Sequence, residues 1–255
     1  MQPLSAAQLL NVWESGATQA PAERALALLA AACPDTSREV LAELSIGRRD
    51  AHLLTLREWA FGPQVFSVAV CPQCGERLEI DANVAQLRVH DLTPSLADTR
   101  VGRDERESLS LQTDDYVLSF RLPNSIDLAA IAEHADAALS RRVLVDQCVL
   151  SAQHKGAAIA PGELPDEVIA ALSARMAEAN PQADVQLALT CSSCGHRWEV
   201  MFDIGSLFWR EIRDWAQRTL REVHTLASAY GWSQAEILGL SATRRQIYLE
   251  LIGNG

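Results

Sequence analysis

Cys71-Pro-Gln-Cys74-Gly-Glu-Arg-Leu-Glu79 and Cys191-Ser-Ser-Cys194-Gly-His-Arg-Trp-Glu199 are two copies of one pattern, Cys-x-x-Cys-Gly-x-Arg-x-Glu, set 120 residues apart. A two-residue spacing lets both sulfurs of such a hook reach one ion at about 2.3 Å, and four thiolates complete the tetrahedron that Zn²⁺ prefers. Gly75 and Gly195 fit the same reading, because the chain must turn tightly after the second cysteine and glycine accepts the positive φ of that turn. The pattern predicts one structural Zn²⁺ held by Cys71, Cys74, Cys191 and Cys194, with no open position for water and therefore no chemistry. Two rivals stand beside it. A Cys-x-x-Cys pair at a helix N-terminus is a redox dithiol, and each hook could close on itself as a disulfide. His196, next to Cys194, could replace a thiolate, but the four-cysteine set is already complete.

The flanks decide against a helix. Val65 to Val70 runs Val-Phe-Ser-Val-Ala-Val into the first hook, and Val185, Leu187 and Leu189 alternate into the second. Leu78 and Ile80, and then Trp198, Val200 and Phe202, alternate on the way out. Strand, hook and strand make a hairpin with the metal at its tip.

Elsewhere the spacing is helical. Ser5 caps a helix from Ala6 to Trp13, Pro21 opens one through Ala32, Ser37 caps a third, and Ser45 caps a fourth that ends near Phe61-Gly62-Pro63. Residues 93–107 are charged and poor in apolar groups, which predicts a surface loop. Ser108 to Gln112 and Tyr116 to Leu122 predict a hairpin turning at Thr113-Asp114-Asp115. Helices are then expected from Ile126 to about Ala137, from Leu139 to Ala152, and from Pro165 onward, with Asp166 and Glu167 at the positive end of the dipole. The strongest pattern runs from Ser206 to Tyr230, where Phe208, Ile212, Trp215, Thr219, Leu220, Val223, Leu226, Ala227 and Tyr230 share a face. Gly231 ends it. Ser233 with Glu236 forms a capping box, and Ser241 caps a last helix from Ala242 to Ile252. A shift of 196 residues lays Ser37 on Ser233, Ser45 on Ser241 and Arg48-Arg49 on Arg244-Arg245, whereas the hooks superpose at 120. The chain is therefore not a simple tandem duplication.

With 255 residues, 48% of them hydrophobic, a sizeable core can form. The longest apolar run, Ala25 to Cys33, falls well short of the ~20 residues a membrane helix needs, and the N-terminus lacks the layout of a signal peptide. Reduced cysteines suit an intracellular, cytoplasmic setting; Cys33 and Cys148 sit in apolar helical surroundings as buried small hydrophobes. Net charge is −11, and the only basic clusters are Arg48-Arg49, Arg141-Arg142 and Arg244-Arg245. Phosphate binding needs a basic face, so nucleic acid is disfavoured as a partner and a zinc-ribbon transcription accessory protein is the alternative class.

No catalytic constellation is legible. The chain has no glycine-rich phosphate loop, no His-Glu-x-x-His and no Gly-x-Ser-x-Gly, and its histidines are scattered. The expectation is a protein that is not an enzyme. Among the aromatic residues crowding the long helix, Trp215 reads as core, whereas Trp209 at the edge of the stripe is a candidate for contact with another protein. Trp232, Arg244 and Arg245 are the further candidates for partner binding.

Three stretches carry a family resemblance: Phe202-Asp-Ile-Gly-Ser-Leu-Phe-Trp-Arg-Glu-Ile, Arg221-Glu-Val-His-Thr-Leu-Ala-Ser-Ala-Tyr-Gly-Trp, and Ile237-Leu-x-Leu-Ser-x-x-Arg-Arg-x-x-Tyr-Leu-Glu. Together they resemble the T-even-type phage baseplate hub assembly chaperone family, members of which occur in gene clusters for contractile, phage-tail-like injection systems. Leu53-Leu-x-Leu-Arg-Glu-Trp-x-Phe-Gly-Pro, followed by the first hook, is similar to the zinc-hook members of those clusters. The resemblance covers roughly residues 40–82 and 184–252. It implies a non-enzymatic role in building the baseplate, either as a transient assembly factor or as a minor component of the hub, with baseplate, hub, spike or tape-measure proteins as partners. Short phage versions lack the hooks.

The fold class expected is α+β, mainly helical with a small antiparallel zinc-ribbon sheet formed by two distant Cys-x-x-Cys hairpins. Its segments are an N-terminal helical unit (1–63), a discontinuous ribbon (64–82 with 184–204), an insertion of a hairpin and helices (83–183), and a C-terminal helical unit (205–255).

Overall fold

The computed structural model describes residues 1–89, 108–132, 134 and 136–253. In chain order they form α1 (Ala6–Gly16), α2 (Pro21–Ala32), α3 (Arg38–Ala42), α4 (Ile46–Phe61), β1 (Gln64–Val70), β2 (Arg77–Asn83), α5 (Val84–Leu87), β3 (Leu109–Thr113), β4 (Tyr116–Phe120), α6 (Ser125–Ile131), α7 (Ala137–Cys148), β5 (Val149–His154), β6 (Ala157–Ala158), α8 (Asp166–Ala179), β7 (Gln186–Thr190), β8 (Arg197–Met201), α9 (Ile204–Tyr230), α10 (Gln234–Gly239) and α11 (Ala242–Gly253). The chain is mainly helical with small antiparallel sheets, as its sequence predicts. Two compact units result, Met1–Pro34 with Ile204–Gly255, and Asp35–Asp203. The loop expected over 93–107 lies outside the described residues.

In the first unit α9 is the spine. Its buried positions Ile204, Phe208, Ile212, Ala216, Thr219, Val223 and Leu226 advance in steps of three or four and form one continuous stripe. Helices α1 and α2 pack against this spine, as do α10 and α11. At its far end Val223, Leu226 and Ile237 form a small core flanked by Trp232, Tyr248, Leu249 and Ile252. Each such apolar side chain contributes about 1.5–3 kcal/mol when fully buried. Helix starts follow the predicted caps: Ser5 and Gln8 form a capping box on α1, Ser233 and Glu236 another on α10, and Ser241 Oγ accepts the Arg244 N–H at 3.2 Å. Gly231, at φ 71°, ends α9.

In the second unit, Ser37 and Ser45 cap α3 and α4 as expected. The predicted β3–β4 hairpin is half of a four-stranded antiparallel sheet ordered β3-β4-β5-β6. Leu118, Phe120, Val149 and Ala152 from this sheet pack with Val145 of α7, Leu164, and Val168, Ile169 and Leu172 of α8 into one core. Here the structure corrects the sequence reading twice. Helix α7 stops at Cys148, and Val149–His154 is strand β5 instead of more helix; it turns back at Lys155-Gly156, both at positive φ (52° and 80°), in the two-residue geometry that favours a hairpin. Helix α6 ends at Ile131, short of Ala137.

A buried polar node fastens this sheet to the helices around it. Asp127, the third residue of α6, accepts two hydrogen bonds from Arg121, at 2.6 and 2.7 Å, and one from the Asn124 N–H at 2.9 Å. The Asp127 carboxylate holds the Arg121 guanidinium above its ordinary pKa. Arg121 also donates to the Gln147 carbonyl at the end of α7. Burial, with Asp127 at its side, pushes the Cys148 thiol up to about 12, so this cysteine stays protonated and inert. No described helix is long and apolar enough to cross a membrane.

Candidate metal centre

The two hooks sit at the tips of two hairpins that follow the same plan. Strands β1 and β2 pair over seven residues from Gln64↔Asn83 to Val70↔Arg77, and β7 and β8 over five from Gln186↔Met201 to Thr190↔Arg197. The Cys71 N–H donates to the Glu76 carbonyl at 2.8 Å and the Gly75 N–H to the Cys71 carbonyl at 3.0 Å; Cys191 with His196, and Gly195 with Cys191, repeat both bonds at the same lengths. Gly75 and Gly195 adopt φ of 76° and 73°, the conformation for which each hook carries a glycine. The two hairpins are separate two-stranded ladders, so they meet at their cysteines and not as one hydrogen-bonded sheet.

Sulfurs of Cys71, Cys74, Cys191 and Cys194 all lie within 4.8 Å of one another. The close contacts run between hooks: Cys71 Sγ is 3.7 Å from Cys194 Sγ, and Cys74 Sγ is 3.6 Å from Cys191 Sγ. A tetrahedron with metal–sulfur bonds of about 2.3 Å has edges of about 3.8 Å, so the donor set fits one four-coordinate ion. In each hook the first cysteine is buried and the second exposed, which gives the cluster an approximate two-fold character. None of the six cysteines is in a disulfide. Neither hook opens a helix, so the dipole that would activate a redox dithiol is missing.

Backbone dipoles favour thiolates at this site. The Cys194 N–H, and then that of Ser193, draw the Cys191 thiol down to about 7. At Cys74 the Glu76 N–H acts in the same sense, but desolvation and the sulfurs of Cys194, Cys191 and Cys71 outweigh it and push the thiol up to about 12. Four sulfurs so close resist full ionisation unless a cation sits among them. The His196 ring stacks on Trp198, with centroids 5.7 Å apart, and is not one of the four clustered donors.

A second clasp, illegible in the sequence, joins the same two segments. Gln182, buried in the turn before β7, donates to the Leu87 carbonyl at 3.1 Å and accepts the Val89 N–H at 2.8 Å. The chain leaving the first hairpin is thus tied to the chain entering the second by a side-chain amide beside the sulfur cluster. Nearby Gly47 of α4 has no room for a Cβ, which would overlap the Asn180 side chain.

The partner-binding candidates separate into two groups. Trp209 is buried, lying over Gly16 of α1, with the Arg24 guanidinium 4.8 Å from its ring centre. Arg245 is buried too, donating to Glu222 at 2.9 Å and to the Leu240 carbonyl at 2.8 Å. Both side chains are engaged inside their own unit. Arg244 is exposed, and Trp232 is half-buried, stacked on Tyr230 and edge-on to Tyr248. Trp215, read as core, is only half-buried because Ala216 takes the central place on the stripe.

One family model matches, described as T4 bacteriophage base plate protein, and it covers residues 5–209. The matched region contains both hooks and the whole insertion; most of the C-terminal run that carries the resemblance lies beyond it. No curated protein and no solved structure matches the chain.

Proposed function

Because the chain belongs to the T4 bacteriophage base plate protein family, we propose that it is a non-enzymatic assembly factor or minor component of the baseplate or hub of a contractile, phage-tail-like particle. It acts by binding other tail proteins on a scaffold closed by one Zn²⁺. The observation that carries the scaffold is the convergence of four sulfurs from hooks 120 residues apart. When bound, the ion supplies a cross-link and nothing else, since four protein sulfurs leave it no position for water or substrate. The hooks hold the ion, Gln182 and the paired strands orient the hooks, and the buried first cysteines keep water from half of the cluster. An acidic chain of net charge −11 suits protein partners better than nucleic acid. The protein works in the cytoplasm while particles assemble, and as a minor component it travels with them.

Affinity purification of the tagged chain from cells that produce a contractile tail-like particle along with it tests this reading. Spike, hub or tape-measure subunits are expected in the eluate. Recovery of the chain without any tail component contradicts the proposal.

A further inference from the structure

Strand β1 has apolar residues on both faces. On the outward face Phe66, Val68 and Val70 are 68%, 48% and 59% exposed. Directly across the ladder stand Asp81, Glu79 and Arg77, also exposed. The outward face is therefore an apolar row beside a charged row that reads minus, minus, plus toward the metal hook. The sister hairpin is an internal control. It keeps Arg197 and Glu199 at the places of Arg77 and Glu79 and has Met201, 63% exposed, at the place of Asp81. Gln186, Ala188 and Thr190 stand on the outward face of β7, so that face of the hairpin has a single large apolar residue and no apolar row. Building such a hairpin does not require the apolar row, and water alone gives no reason to keep one.

The geometry points to this face as a docking surface for an amphipathic helix of a partner tail subunit, one with an apolar ridge flanked by lysine and arginine. The inference rests on the protein-binding role proposed above and names the chemistry of one partner. Alternate residues of a strand repeat every ~6.8 Å, and helix residues four apart repeat every ~6 Å, so one helical ridge can follow Phe66, Val68 and Val70 while its neighbours follow the charged row. Glu79 and Asp81 call for basic residues on that flank. A second copy fits less well: laid antiparallel on itself, the face pairs Arg77 with Asp81 but sets Glu79 against Glu79, and it brings together two chains of charge −11.

The test uses the full zinc-loaded chain and fluorescent helical peptides of about 18 residues, long enough to hold a helix. One carries a leucine ridge with a lysine flank, and the other has the lysines replaced by glutamates. Anisotropy titrations are expected to show the lysine peptide binding at least about tenfold tighter, with the order reversed in Glu79→Lys/Asp81→Lys. Phe66→Ser/Val68→Ser is expected to weaken the lysine peptide at least about tenfold, while Ala188→Ser on the sister hairpin leaves it unchanged. If the serine pair fails to fold by circular dichroism, the charge-reversal variant carries the test. Equal binding of the two peptides, or a serine pair that binds like the parent, overturns the proposal; so does a dimer that Phe66→Ser dissociates. Tail subunits that still co-purify with the serine pair would refute this face alone, whereas no tail subunit with the parent chain would refute the wider reading.

Discussion

A chain carrying Cys194→Ser is expected to lose its metal and to melt roughly 10–20 °C below the parent, because a cross-link that closes about 100 residues is worth about 4.7 kcal/mol and each kcal/mol moves a domain of this size by about 2–4 °C. Both hooks lie within Asp35–Asp203, so one shared ion would tie residues 71–74 to residues 191–194 of that unit. The loss falls on the cooperative melting of the whole unit, not on one hairpin tip. Zinc chelation should reproduce it in the parent and have little further effect on the variant. Ser192→Ala, an exposed substitution in the same hook, should melt with the parent. The measurement is thermal unfolding followed by far-ultraviolet circular dichroism, with and without chelator. A Cys194→Ser chain that melts like the parent would mean that each hairpin stands alone.

Asp127→Ala is the second large effect, expected to cost about 3–5 kcal/mol, the range for breaking a buried ion pair from one side. The substitution removes both hydrogen bonds to Arg121 and strips the cap from the Asn124 N–H. A guanidinium less than a quarter exposed is then left without its counter-ion. The contrast is Asp115→Ala, which breaks an exposed pair with Lys155 at 3.6 Å and should change stability by no more than ~0.5 kcal/mol. Urea unfolding of the two variants separates the cases. Equal midpoints would show that the node does not fasten the sheet.

What could be read from the sequence was whatever is written locally. The hooks declare themselves by spacing and by Gly75 and Gly195, and the caps at Ser5, Ser37, Ser45, Ser233 and Ser241 are each a hydroxyl three residues before the N–H it accepts. Strand β5 was misread because Val149 and Ala152 continue the apolar spacing of α7. The competing signal was the Lys155-Gly156 turn, which only makes sense beside a sheet whose other strands lie some thirty residues earlier. The room for the Trp209 ring comes from the missing side chain of Gly16, which is remote in sequence and announces nothing locally. Arg245 of α11 is engaged by Glu222 of α9, a pairing that no local pattern announces. Gln182 left no trace at all: a lone glutamine becomes a clasp only when Leu87 and Val89 are brought to it.

The central claim, that distant hooks grip one ion, is tested most directly by X-ray absorption at the zinc edge on the purified full chain, with the metal counted by native mass spectrometry. One zinc per chain, surrounded by four sulfurs at about 2.3 Å, is the predicted result. Two metal ions per chain, a nitrogen or oxygen in the first coordination sphere, or a metal-free chain with Cys71–Cys74 and Cys191–Cys194 oxidised to disulfides would contradict it.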